Sequence, residues 1–190
     1  MRNIYILSLL LIILSNCKSE ETRKIEHLKA YAKAYGYVKY FHPSDGAQLI
    51  DWNIFSAYGA EEILKCRTKN QLVKKLNKLF YPIAPSVKFV STNSSPPYNI
   101  QNIIPDNALE YRFTFWQHTG VSKGMVNQKF QTYRSIRVHR TDIDTTLFNY
   151  IPDFGELITK EISEGIFCQI PLVLYCNDKT TFPVSDSTSL

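Results

Sequence analysis

The sequence predicts an α+β protein, with an N-terminal three-helix layer over residues 17–85 followed by a mainly antiparallel β unit over residues 86–190. Three observations predict it. From Glu20 to Phe80 apolar residues recur three and four apart, the spacing of amphipathic helices. Capping residues and prolines cut that run into separate segments. Beyond Pro85 the alternation switches to period two, and glycine-containing turns between segments favour hairpins.

The first helix spans Glu20 to Phe41. Ile25, Leu28, Ala32, Tyr35 and Val38 lie at helical spacing, and Glu20 and Glu21 complement the positive end of the dipole. Gly36 costs about 1 kcal/mol relative to Ala inside a helix, a cost that close approach of another element would explain. Pro43 stops the helix, because the residue before a proline is pushed out of the α region. Ser44, Asp45 and Gly46 are turn residues. Asp51 is placed to cap the next helix, whose stripe is Trp52, Phe55, Gly59 and Ile63. Thr68 and Gln71 have capping-box spacing and open a third helix carrying Leu72, Leu76, Leu79 and Phe80. Pro82 and Pro85 end helical structure.

Val87 to Val90 reads as a short strand, and Ser91 to Pro105, rich in Ser, Asn and Pro, as a loop. Glu110 to His118 alternates: Tyr111, Phe113 and Phe115 on one face, Arg112, Thr114, Trp116 and His118 on the other. Phe130 to His139 is a second long strand, and the turn residues of Gly120 to Gly124 make the two a hairpin. A polar connection follows over Thr141 to Asn149. Gly155 to Ile162 and Ile166 to Tyr175 are two more strands, separated by Glu164 and Gly165. The tail after Asn177 has no core pattern, and the chain has no internal repeat.

The N-terminus bears on the compartment. Met1-Arg2-Asn3 is a short basic start, Ile4 to Leu14 is almost wholly apolar, and Cys17 ends the run. Such a run is too short to span a hydrocarbon core of about 30 Å and has the form of a secretory leader. Leu14, Ser15 and Cys17 resemble a bacterial lipobox, with Asn16 where Gly or Ala is usual. The implied chemistry is lipidation of the Cys17 thiol, cleavage before it and acylation of the new amine. Several acyl chains, at about 0.8 kcal/mol per buried methylene, anchor stably. A plain leader with an incidental cysteine, or a signal anchor, accounts for the same apolar run. Lys18 to Glu21 resembles the acidic export tag of surface lipoproteins in Bacteroidetes-type bacteria, and equally a solvated tether.

Hydrophobic residues make up 44% of the chain, enough to bury a core. The net charge of +5 is too diffuse to indicate nucleic acid. With Cys17 assigned to lipid, Cys66, Cys168 and Cys176 remain, an odd number that argues against a disulfide framework. On one continuous strand Cys168 and Cys176 would lie about 26 Å apart, against the roughly 7 Å limit for a bridge; only a tight reversal at Pro171 would let them pair. No C-x-x-C or H-E-x-x-H spacing exists, so no metal or other cofactor is expected.

Two clusters carry candidate chemistry. His42, Asp45 and Asp51 have the residue types of a general base or metal site; a helix-end histidine, a turn aspartate and a capping aspartate give the same sequence. Trp116, His118, Arg134 and Arg137, with His139, form the richest polar and aromatic group. If the strands pair, Trp116 and His118 share a face, and the register of pairing decides whether Arg137 and His139 lie on it too. Such a face would suit a carboxylate, a peptide end or a sugar ring, although a solvated basic strand face has the same composition. Ser122 and Lys123 are adjacent, but a Ser-Lys dyad needs spatial placement rather than adjacency. No G-x-S-x-G, S-x-x-K or G-x-G-x-x-G motif is present.

Leu28 to Asp45, with its Tyr40-Phe41-His42-Pro43 string, followed by Asp51-Trp52 and Tyr58 to Glu61, resembles the N-terminal region of the C-terminal-processing (tail-specific, tricorn-like) serine peptidase family in its Bacteroidetes-type lipoprotein form. Leu79 to Pro85, Trp116 to Val121 with Tyr133 to Val138, and Gly155-Glu156 with Ile170 to Tyr175 continue the resemblance in the same order. The resemblance implies that the nucleophilic serine and its lysine base belong to a separate protease domain further toward the C-terminus. No catalytic residue can be carried over onto this chain, which is expected to be a truncated product, a fragment or a free-standing version of the accessory region. The expectation is therefore a cell-envelope lipoprotein, anchored to the outer membrane through Cys17 and inactive alone. It would position or shield a protease domain or contact a peptide or protein substrate. The alternative is a stand-alone envelope module that binds peptide or glycan through Trp116, His118, Arg134 and Arg137.

Overall fold

Helix α1 (Glu20–Phe41) is the long axis of the helical layer. The computed structural model describes residues 20–92, 97–119, 134–139 and 150–186. The buried stripe of α1 is His27, Ala30, Tyr31, Ala34 and Val38. This differs from the expected stripe: Ile25 is exposed, Leu28 and Tyr35 only flank the core, and of the expected set Val38 alone is fully buried. The physical reason is size. Ala30 and Ala34 let neighbouring elements approach the helix axis, and the larger apolar residues straddle that contact.

Ser44 caps a short helix α2 (Asp45–Leu49), where a turn was expected; its hydroxyl accepts from the Ala47 amide at 3.3 Å. Asp51 caps α3 (Trp52–Leu64), its carboxylate accepting from the amides of Asn53 and Ile54 at 2.8 and 3.1 Å. Thr68 caps α4 (Lys69–Phe80), accepting from the Gln71 amide at 3.2 Å. Gln71 reaches back to the Arg67 amide at 2.7 Å, one residue beyond the usual capping-box partner. Leu72, Leu76, Leu79 and Phe80 of α4 are buried as the spacing predicted. Each such side chain contributes about 1.5–3 kcal/mol on removal from water.

Close approach requires glycine at Gly59, not Gly36. A Cβ on Gly36 would meet nothing within 4 Å, whereas one on Gly59 would collide with the Tyr31 ring and hydroxyl. At Gly46 an added Cβ would lie 2.6 Å from the Ile83 carbonyl oxygen. Tyr31 is fixed in its place against α3 by donating to the Phe55 carbonyl at 2.9 Å.

Two antiparallel sheets follow. The first, in order β1-β5-β4, consists of β1 (Lys88–Ser91), β5 (Ile166–Pro171) and β4 (Leu157–Ser163). The β4–β5 hairpin turns at Gly165, whose φ of +70° favours glycine. Asn77 of α4 covers the edge strand, donating to the Phe89 carbonyl at 2.7 Å and accepting from its amide at 3.1 Å. Helices and first sheet share one core, running from Ala30 and Phe55 through Phe80 and Phe89 to Ile166 and Ile170. The boundary near residue 85 therefore marks a change of secondary structure but not of core.

The second sheet, in order β3-β2-β6-β7, consists of β3 (Arg134–His139), β2 (Arg112–Thr119), β6 (Val173–Cys176) and β7 (Thr181–Phe182). The expected strand from Ile166 to Tyr175 is in fact two: the chain leaves the first sheet after Pro171 and enters the second at Val173. Proline at that position ends ladder pairing because it has no N–H. Cys66, Cys168 and Cys176 are buried free thiols. Burial pushes the Cys168 and Cys176 thiols up, away from the reactive thiolate. The expected α+β class, helical first and antiparallel β second, is the one observed.

Candidate functional site

The second sheet meets the helical layer at the C-terminal end of α1. Trp116 and His118 share one face as the alternation predicted, and the β2–β3 register sets Arg137 opposite Trp116 and Ser135 opposite His118 on that face. That face lies against His42, Pro43 and Asp45. The Trp116 indole N–H donates to the His42 carbonyl at 3.0 Å. The Arg137 guanidinium donates to the Pro43 carbonyl at 3.0 Å and to Asp45 Oδ1 at 2.7 Å. Asp45 Oδ2 accepts from the Thr181 amide at 2.6 Å and its hydroxyl at 3.1 Å. One aspartate thus ties the helical layer to strands at both ends of the four-stranded sheet.

Half-burial alone would raise the Asp45 pKa. The hydrogen bonds from Arg137 and Thr181, together with the guanidinium charge, outweigh it and hold the carboxyl below its ordinary value. Asp45 is therefore an ionic link rather than the turn residue or general base its sequence context allowed. Asp51 is the α3 cap and belongs to no cluster with it.

His42 is fully buried between two serines. Its Nδ1 lies 2.9 Å from Ser44 Oγ and its Nε2 lies 2.6 Å from Ser86 Oγ. Ser44 has one hydroxyl proton and donates it to the Ile83 carbonyl at 2.5 Å. The Ser44 amide also points at Nδ1, at 3.4 Å, so the ring proton faces Ser44 in one tautomer and Ser86 in the other. With the proton on Nδ1, the pair has the form of a base beside a serine. The pair is nevertheless sealed: His42 has no exposed surface and Ser86 retains 2%. Burial lowers the His42 pKa to about 3, so the ring is neutral. A nucleophile needs an approach path for substrate, and this arrangement offers none.

His118 is half-buried, with Nδ1 2.8 Å from Ser135 Oγ and its ring packed on Phe41. Burial lowers its pKa, and a hydrogen bond with the Tyr40 backbone works the other way. His139 Nδ1 lies 3.2 Å from Cys176 Sγ on the same face. Arg134 pairs with Thr119, one register position out of phase with Trp116 and Arg137. Of the four candidate ligand-binding residues, Trp116, His118 and Arg137 are thus brought together, and the Arg134 side chain lies outside what the structure describes. Cys17, Ser122 and Lys123 lie outside the described residues. Sequence reasoning missed Ser44, Ser86 and Thr181. Each is an isolated hydroxyl whose importance comes from a partner between two and 136 positions away.

Among the described residues, no group of three or more His, Cys, Asp or Glu could hold a metal ion, and no helix is long and apolar enough to cross a membrane. No protein-family model, no curated protein and no solved structure matches this chain.

Proposed function

We propose that this chain is a lipid-anchored accessory region of a tail-specific serine-peptidase-like protein. It contributes no hydrolytic step of its own and positions a protease domain or its substrate at the cell envelope. One observation supports this reading above the others. The string that carries the resemblance, Tyr40-Phe41-His42-Pro43-Ser44-Asp45, forms the joint between the helical layer and the second sheet. The His42 and Pro43 carbonyls and the Asp45 carboxylate all receive hydrogen bonds from that sheet. Residues with that duty preserve a shape, which is what an accessory region supplies. The binding-module alternative loses support, because the polar ends of Trp116 and Arg137 already have partners within the chain.

The test has two arms. Labelling with a palmitate analogue in a bacterial host is expected to mark the wild-type chain and not Cys17→Ala. The recovered protein is expected to leave a peptide library uncut. Equal labelling of both chains would remove the anchor, and hydrolysis abolished by His42→Ala would overturn the non-catalytic assignment.

A further inference from the structure

Where α1 begins, the start of α4 and the β4–β5 turn enclose a groove of about 270 Å³. Arg23, Glu26 and His27 line it from α1, Arg67 and Lys69 from the α4 entry, and Glu164 from the hairpin. The charges are not balanced once their partners are assigned. Glu164 is 3.5 Å from Lys69, and Glu26 pairs with Lys29 at 3.3 Å. Arg23 reaches Glu20 only at 3.9 Å, the outer limit of an ion pair. Among the described residues, the Arg67 guanidinium has no ion-pair partner. Two atoms of groove-lining residues are also buried without hydrogen-bond partners: Arg23 Nε and His27 Nδ1. His27 is 95% buried, at 5% exposure. The His27 ring donates to the Cys66 backbone, so its bare Nδ1 is an acceptor. Buried polar atoms are normally satisfied, so the Arg23 donor and this acceptor beneath a cationic rim point to a missing occupant that carries both acceptor oxygens and a hydroxyl, as protonated phosphate does.

We infer that this groove is a binding site for a small oxyanion of the phosphate class, held by the guanidinium groups of Arg23 and Arg67 with Lys69 at the rim. Planar guanidinium donors match the geometry of a phosphate or carboxylate edge. The volume lies just below the usual range of ligand pockets and accommodates one headgroup or a free ion. Lipid headgroup and soluble phosphate share this chemistry. The site goes beyond the accessory reading and does not depend on it.

The test titrates the full-length chain with inorganic phosphate at constant ionic strength and follows the His27 ring resonance, assigned with His27→Gln. A saturable shift is expected in the wild type and in Lys33→Gln, an exposed-lysine control on the same helix. Arg67→Gln should weaken binding about tenfold, the equivalent of one charge-assisted hydrogen bond. Arg67 is exposed and precedes the α4 cap, so the variant keeps its fold. Co-sedimentation with phosphatidylglycerol and phosphatidylcholine vesicles then identifies the source. Loss of phosphatidylglycerol binding in Arg67→Gln assigns the oxyanion to a lipid headgroup, and equal sedimentation alongside the phosphate response assigns it to a soluble ligand. No saturable shift, or the same affinity in Arg67→Gln, overturns the site.

Discussion

Replacing Asp45 by Asn should loosen the second sheet while leaving the helical core intact. The carboxylate presents two acceptor oxygens to two sets of donors, Arg137 at 2.7 Å and the Thr181 amide at 2.6 Å. An amide of the same shape offers one acceptor and one N–H donor. Whichever way it turns, either Arg137 or Thr181 faces a donor. The loss is one charge-assisted hydrogen bond, about 1.5–3 kcal/mol, together with the ionic attraction at a site where both side chains are mostly buried. Removing one member of a fully buried pair costs about 3–5 kcal/mol. With side-chain exposures of 17% for Arg137 and 23% for Asp45, about 3 kcal/mol is the appropriate scale. For a chain of this size that is roughly 6–12 °C in melting temperature.

The pH dependence has a definite sign. The Asp45 pKa is lowered in the folded state, so its contribution is present above the unfolded value near 3.8 and is lost as pH falls through the folded value. The gap between wild type and Asp45→Asn should therefore close in acid. Calorimetry measures the gap, and amide exchange locates it: protection should drop in β2 and β6 and persist in α4 and β5. A double-mutant cycle with Arg137→Gln should show coupling of at least about 1 kcal/mol. A melting difference under about 2 °C at neutral pH, or strict additivity in the cycle, would refute the assignment of Asp45 as the joint.

Two further outcomes follow from the core. Gly59→Ala should destabilise the helical layer by about 1–3 kcal/mol through overpacking against Tyr31, despite the roughly 1 kcal/mol that alanine gains in a helix; urea melts would detect it, and Tyr31→Phe in the same background should recover part of the loss. His42 has a folded pKa of about 3 against an ordinary 6.5, so the unfolded chain takes up its proton first. Its contribution to stability is complete above pH 6.5 and declines below it by about 1.4 kcal/mol per pH unit. Denaturant midpoints of wild type and His42→Gln measured down the acid range should converge; parallel curves would show that His42 is not held neutral.

Local features were legible from local residues. Asp51 and Thr68 cap the helices their spacing marked, because a cap needs only side-chain oxygens and amides two or three residues ahead. The α4 stripe and the shared face of Trp116 and His118 followed from the periods of helix and strand. Legibility failed where partners are distant. The buried line of α1 runs through alanines that hydropathy alone does not favour, and the glycine that matters is Gly59, chosen by Tyr31 from another helix. Nothing local could show that Pro43 and Asp45, more than 90 positions from Arg137, would engage the face of Trp116 and Arg137, or that Arg134 would fall out of phase with it.

The sequence by itself determined the α+β class, most helix limits and the antiparallel character of the strands, since these depend on period, caps and turn chemistry within a few residues. Only the tertiary structure decided that the chain changes sheets at Leu172, that His42 is sealed between Ser44 and Ser86, and that Asp45 links the two layers. Burial and ion pairing are relations between distant segments. They exist only once the core has closed and brought those segments to hydrogen-bond distance.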